Sequence, residues 1–182
     1  LDTTLGARRT ELGYAPVAVD VEVLEEAMIE KEPITVICSR KGWLKGMKGH
    51  GQDPTKVSYK DGDSGQFFIE AQTTDKIIFM GTDGRFYAIG CDDLPSARGY
   101  GEPIRLMADL PNDADIVGMS VYDPTSKLLV VSDDGRGFIV EEKDVLAQTR
   151  AGKQILNVKA PVEARLYRKV PENADHLAIV GT

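Results

Sequence analysis

Cysteine is nearly missing from this chain, with two among 182 residues. Two thiols cannot build a disulfide framework, and neither stands in a Cys/His cluster with zinc-ligand spacing. Aromatics are scarce too, at 7% with a single Trp. No apolar run approaches the roughly 20 residues of a spanning helix, which excludes an integral membrane protein of the helical kind. The first residues lack a basic stretch followed by an apolar one, so no secretory leader is read there. No phosphate loop of the Gly-x-x-x-x-Gly-Lys-Ser/Thr kind occurs. Positive charge is also in deficit: 22 Lys and Arg face 29 Asp and Glu, a net of -7 and a pI of about 4.9. Nucleic-acid-binding domains usually carry a basic excess, so the bare sum speaks against one. What is present is 42% hydrophobic residues, enough for a real core in a single domain or one and a half. The expected class is a soluble, cytoplasmic domain.

The charge is unevenly placed. Residues 1–33 carry a net of -5, residues 34–60 a net of +5, residues 61–125 a net of -8 and residues 126–182 a net of +1. The basic groups of the second segment are Arg40, Lys41, Lys45, Lys48, Lys56 and Lys60, against Asp53 alone. Fields decay over a Debye length of about 8–10 Å, so local excess matters more than the sum. Val21 to Lys31 reads as a short amphipathic helix or an acidic connector, bracketed by Pro16 and Pro33. Residues 1–33 are therefore expected to be a linker, with a domain over 34–182.

Beyond Ile34 the chain repeats short apolar strands, each closed by a turn. Ile34–Cys38 runs into Ser-Arg-Lys-Gly42 and then Trp43. Lys76–Met80 runs into Gly-Thr-Asp-Gly84 and then Arg85, and Lys127–Val131 into Ser-Asp-Asp-Gly135 and then Arg136. A fourth copy opens at His176–Val180. Asp-Gly between β-prone runs marks a hairpin, because the turn requires positive φ. The period of forty to fifty residues, with strands in each unit, predicts an all-β, bladed architecture of four-stranded antiparallel sheets: about three blades plus the start of a fourth. Strands such as Ile77–Met80 and Leu128–Val131 are apolar without alternation, which predicts cover on both faces.

The second half of the unit repeats as well. Ser96-Ala-Arg98-Gly-Tyr-Gly101 precedes Pro103-Ile104, and Gln148-Thr-Arg150-Ala-Gly-Lys153 precedes Ile155-Leu156. Each copy sets an Arg in a small, Gly-containing loop. Gly permits close approach of the backbone to a phosphate and Arg supplies a fork that grips it, although a flexible turn with a solvated Arg fits the same residues.

In order, these motifs resemble the C-terminal domain of the A subunit of bacterial type IIA topoisomerases. The stretches that carry the resemblance are Glu32–Trp43, Thr74–Tyr87, Gly101–Ile104, Asp133–Phe138 and Gln148–Gln154, with Leu5–Glu11 similar to the strand that leaves the catalytic core. Within the family the match is closer to topoisomerase IV than to gyrase. Gyrase carries a Gln-Arg-Arg-Gly-Gly-Lys/Arg-Gly box, and Thr149, Ala151 and Gln154 depart from it here. The resemblance implies a β-pinwheel, a disc of propeller-like blades that exchange strands and whose rim binds and bends duplex DNA. In topoisomerase IV it implies positioning of the transported segment in decatenation, supercoil relaxation and chromosome segregation. Family domains have five or six blades, so a fragment is expected. The residues carried over to DNA contact are Arg40, Lys41, Lys45, Lys48, Arg85, Arg98, Arg136, Arg150 and Lys153. Implied partners are double-stranded DNA, a chromosome-organising protein, an A-subunit dimer and the ATPase B subunit, at the bacterial nucleoid.

The family's nucleophile is a tyrosine preceded by arginine, beside magnesium carboxylates. Tyr14, Tyr59, Tyr87, Tyr100, Tyr122 and Tyr167 follow Gly, Ser, Phe, Gly, Val and Leu, so none fits. No catalysis and no cofactor are expected in this piece; Mg2+ and ATP belong to the parent enzyme. Asp61/Asp63 and Asp92/Asp93 lack metal-ligand periodicity. His50 is expected on a solvated or phosphate-facing loop, His176 at a strand start, and Cys38 in the core. Trp43 is either a packing anchor or a DNA-facing ring. Two other classes compete: a bladed protein-interaction scaffold, and a propeller-type hydrolase, for which no acid or His set repeats. A gyrase-like wrapping domain is a third alternative.

Overall fold

The computed structural model describes residues 24, 27–96, 98–174 and 176. The strands are β1 (Pro33–Ser39), β2 (Trp43–Lys48), β3 (Gly65–Gln72), β4 (Lys76–Gly81), β5 (Arg85–Gly90), β6 (Glu102–Pro103), β7 (Ile116–Val121), β8 (Lys127–Ser132), β9 (Gly137–Glu141), β10 (Lys153–Gln154) and β11 (Ala164–Val170). One helical turn, α1 (Glu142–Val145), follows β9. The expected linker lies largely outside the described residues, as does the fourth unit apart from His176, which is exposed and in no strand.

Each hairpin is made by the glycine that the sequence places in it. Gly42, Gly84 and Gly135 have φ of 79°, 76° and 82°. Their N–H groups donate to the carbonyls of Ser39, Gly81 and Ser132 at 3.0, 3.0 and 3.1 Å, closing a four-residue turn. Only glycine occupies that left-handed position without a Cβ penalty. The turns set β1 against β2, β4 against β5 and β8 against β9, all antiparallel.

The sheets are interleaved in sequence. Their orders are β3-β1-β2-β6, β10-β5-β4-β7 and β11-β8-β9. The chain thus builds three strands of the first sheet, starts the second, and returns to add β6 to the first. It repeats the manoeuvre with β10, which closes the second sheet after β8 and β9 have begun the third. The blades expected from the period are present and exchange strands; the third has three strands among the described residues. β7 packs against both β3 and β11, so the sheets converge along those strands, and β6, β10 and β9 form the opposite, outer edge.

The middle strands β1, β4 and β8 are buried at every position after the first. One cluster gathers Val36, Cys38, Leu44, Phe79, Tyr87 and Ile104 between the first two sheets. A second gathers Ile78, Met80, Phe86, Leu128, Val130 and Val145 between the second and third. Full burial of such a side chain contributes about 1.5–3 kcal/mol. Polar ties join the last two sheets: Lys169 pairs with buried Glu142 at 3.0 Å and donates to Val121 O at 2.7 Å, and Tyr167 meets Ser120 through their hydroxyls.

Candidate nucleic-acid interface

The two outer strands sit on their sheets in the same way. β6 sets Glu102 opposite Leu44 and Pro103 opposite Trp43, while β10 sets Lys153 opposite Phe86 and Gln154 opposite Arg85. Gly101 and Gly152 precede them with φ of 83° and 73°. A Cβ on Gly152 would lie 2.7 Å from Phe86 O, and one on Gly101 would collide with Leu44 O and the Lys45 Cβ. These glycines bring the loops 98–101 and 149–152 flat against the sheet edge. The register equates Gly101 with Gly152, so Thr149, not Arg150, holds the place of Arg98. The two arginines serve similar loops from different positions.

At the outer edge of the second sheet, basic groups converge. Arg85 donates from Nε to Gln154 Oε1 and from Nη1 to Ala151 O, both at 3.1 Å. Arg150 is exposed, donates to Leu106 O and lies 3.9 Å from Asp109. Lys153 donates to Asp144 O at 2.6 Å and remains exposed. Each keeps donors free toward solvent while its stem is held, which suits a phosphate contact of low entropic cost.

At the first sheet, Arg98 is exposed and has no side-chain partner among the described residues, and Tyr100 beside it is 47% exposed. Arg40 and Lys41 project from the β1–β2 turn, lining one crevice with Arg105. The turn is braced by Asp63, which accepts from Ser39 Oγ at 2.6 Å, Ser64 N at 2.8 Å and Lys41 N at 3.2 Å. Partial desolvation pushes the Asp63 carboxyl up, and these hydrogen bonds outweigh it, leaving it below the ordinary range.

Lys45 departs from the sequence reading. It is 3% exposed, and its ammonium donates to Ser58 O at 2.7 Å and Gly99 O at 3.2 Å, with the Tyr59 ring 5.7 Å away. Burial lowers its pKa. It is buried because β6 and the loops 57–59 and 98–101 cover β2, and it cannot itself reach a phosphate. Lys48 and Arg136 are exposed but stand apart, paired with Glu32 and Asp134, both at 3.3 Å. Lys48 lies at the far end of β2 and Arg136 in the turn of the third sheet.

The remaining candidates have structural places. Trp43 is half-buried against β6, and Lys60 Nζ stands 4.4 Å over its ring. Lys60 is not among the expected contacts; its place in the basic segment 34–60 is the signal that points to it. His50 is exposed and bonds Ala71 O at 2.7 Å through Nε2. Cys38 is fully buried, and burial pushes its thiol up to about 12, so it is inert at neutral pH. Among the described residues no group of His, Cys, Asp and Glu could hold a metal ion.

The DNA gyrase C-terminal domain, beta-propeller, family matches residues 75–123 and 126–177. The chain belongs to that family. It is 42% identical over its whole length to the A subunit of DNA topoisomerase 4 from Rickettsia bellii, and 42% identical over 95% of its length to that of Caulobacter vibrioides. It spans about a quarter of those relatives, 24% and 22%. Against the solved Escherichia coli ParC C-terminal domain the TM-score is 0.72 at 34% identity, covering 78% of this chain and 58% of that one. A solved DNA gyrase A C-terminal domain aligns at a TM-score of 0.55 and 18% identity over 78% of this chain and 49% of that one, a likeness of fold alone. As a member of this family the chain is all-β, and no helix among its described residues is long and apolar enough to cross a membrane.

Proposed function

We propose that this chain is a non-catalytic module that holds duplex DNA by its phosphates along the outer edges of the first two sheets, and bends it there. The observation that carries the reading is the repeated outer edge, where a positive-φ glycine lays a basic loop on each sheet: Arg98 on the first, Arg150 and Lys153 on the second. Affinity for duplex DNA comes largely from phosphate neutralisation and counterion release, which needs local rather than global positive charge. The acidic residues 61–125 limit the grip. No element among the described residues is shaped to read base edges, so binding is independent of sequence and governed by backbone position and deformability.

In the parent protein this module would position duplex segments for strand passage in decatenation and relaxation. The A-subunit dimer, with Mg2+, and an ATPase B subunit would supply the chemistry. Duplex affinity measured against salt tests the reading. About three to five phosphate contacts give a slope of about -2.7 to -4.5 in log K against log salt. A flat dependence, or no binding at low salt, sinks it.

A second reading, a scaffold for a chromosome-organising partner, has in its favour the acidic stretch 61–125, with a net charge of -8. Gyrase-like wrapping finds less support, because Thr149, Ala151 and Gln154 interrupt the box that it needs.

A further inference from the structure

We infer that Lys45 is a positioning residue, which sets the Arg98–Gly101 loop for DNA from beneath without touching DNA itself. The inference rests on the DNA-binding reading above and names a regulator of the same surface. Among the described residues, the Lys45 ammonium makes the one side-chain hydrogen bond that reaches residues 98–101, to Gly99 O at 3.2 Å. Its second bond, to Ser58 O at 2.7 Å, and the ring of Tyr59 fix the ammonium from the other side. Gly99 has φ of 78° and open space around it, and Tyr100 and Arg98 are exposed. The flanking anchors of that stretch are Ser96, bridged to Gly46, and Glu102, paired with Leu44.

The second sheet shows that packing alone does not call for a lysine here. Gly42 and Gly84 align Lys45 with Tyr87, which is also buried and lies under the equivalent glycine, Gly152. Tyr87 donates to Asp83 Oδ2 at 2.8 Å and leaves the loop above it to Arg85, which holds Ala151 O from outside. In the first sheet Trp43 stands in the place of Arg85, and among the described residues its indole makes no hydrogen bond to residues 98–101. Burying an ammonium is costly unless it is hydrogen-bonded. Lys45 directs its donors to two carbonyls, one of which belongs to the loop that carries Arg98.

The test uses the 182-residue chain carrying Arg98→Cys with a nitroxide label, which reports loop mobility without DNA. Cys38 and Cys91 are buried and their thiols are pushed up to about 12, so the label goes to position 98. Lys45→Met should mobilise the label, and Lys45→Arg, which keeps charged donors, should restore it. In unlabelled protein, Lys45→Met and Arg98→Ala should each weaken affinity for a duplex of about 30 base pairs about three- to tenfold, and the double variant no more than Arg98→Ala alone. Additive losses would mean that Lys45 acts independently of Arg98, and overturn the inference. An immobile label in Lys45→Met would overturn it equally. A mobilised label with no duplex affinity in the unsubstituted chain would uphold the positioning role and reject the DNA reading. If Lys45→Met does not fold, Lys45→Gln, whose neutral amide is one atom shorter and falls short of Gly99 O, carries the same comparison.

Discussion

The outer edges of the first and second sheets have one geometry and two chemistries. In both, a glycine at positive φ closes over a buried polar side chain, and two residues pair with the strand beneath. In the second sheet that side chain is neutral: Tyr87 stacks on Phe79 with ring centroids 5.1 Å apart, and burial pushes its hydroxyl well above the ordinary tyrosine range. In the first it is Lys45, and the strand above begins with Glu102 where the second has Lys153. The backbone position of the rim is thus a property of the glycines. Its charge and its tether are set by residues that can change without moving the backbone.

The largest expected effect comes from attacking what the edges share. Gly101→Ala combines positive φ with a Cβ driven into Leu44 O, and should destabilise by about 3 kcal/mol or more, from backbone strain plus overpacking. Gly152→Ala, whose Cβ meets Phe86 O at 2.7 Å, should cost somewhat less. Gly99→Ala, with the same sign of φ and nothing within 4 Å, should cost only about 1 kcal/mol. Urea midpoints at fixed pH measure all three. Equal losses at Gly99 and Gly101 would mean that outer-strand contact is not what these glycines serve.

Next in size are exchanges of what differs. Glu102→Lys gives the first edge the charge of the second, and Lys153→Glu does the reverse. The first should raise duplex affinity about three- to tenfold and steepen the salt slope by about 0.9; the second should lower affinity by a similar factor or more. If both leave the slope untouched, DNA does not run along these edges. A smaller effect belongs to the buried pair: Tyr87→Phe should cost about 1 kcal/mol through the lost bond to Asp83, with no change in duplex affinity. A fall in affinity there would show that the second edge, too, is tuned from beneath.

How much of this was legible in the sequence follows from which residues have no alternative. Gly42, Gly84 and Gly135 had to be glycine for positive φ, so the hairpins and their period could be read directly. The apolar middle strands, without alternation, pointed to the two-sided cover. The outer strands could not be found by pattern, because two residues have no periodicity; the register depends on Gly101 and Gly152, and an alignment on the arginines slips by one residue. A lysine is expected at the surface, and Lys45 is buried instead. The missed signal was its alignment with Tyr87, which marks the position as one that lies under cover.

The smallest effect compares two turns through their acids. Asp63 braces the β1–β2 turn from a separate loop, whereas Asp134 braces the β8–β9 turn from within, accepting from Ser132 Oγ and Arg136 N. The Ser132 hydroxyl first, then the Arg136 amide and guanidinium, hold the Asp134 carboxyl below its ordinary range, and hydrogen bonds hold Asp63 low in the same sense. A carboxyl depressed in the folded state adds stability above the ordinary aspartate value of 3.8, and that stability is lost as the pH falls through the lowered value. Urea midpoints should therefore hold steady at neutral pH and decline only on the acid side. Asp63→Asn should flatten that decline more than Asp134→Asn, because Asp63 joins segments some twenty residues apart in the chain while Asp134 closes a loop already held by Gly135. If the two variants flatten it equally, the long-range brace contributes no more than the local one, and the first sheet's turn needs no help from its loop.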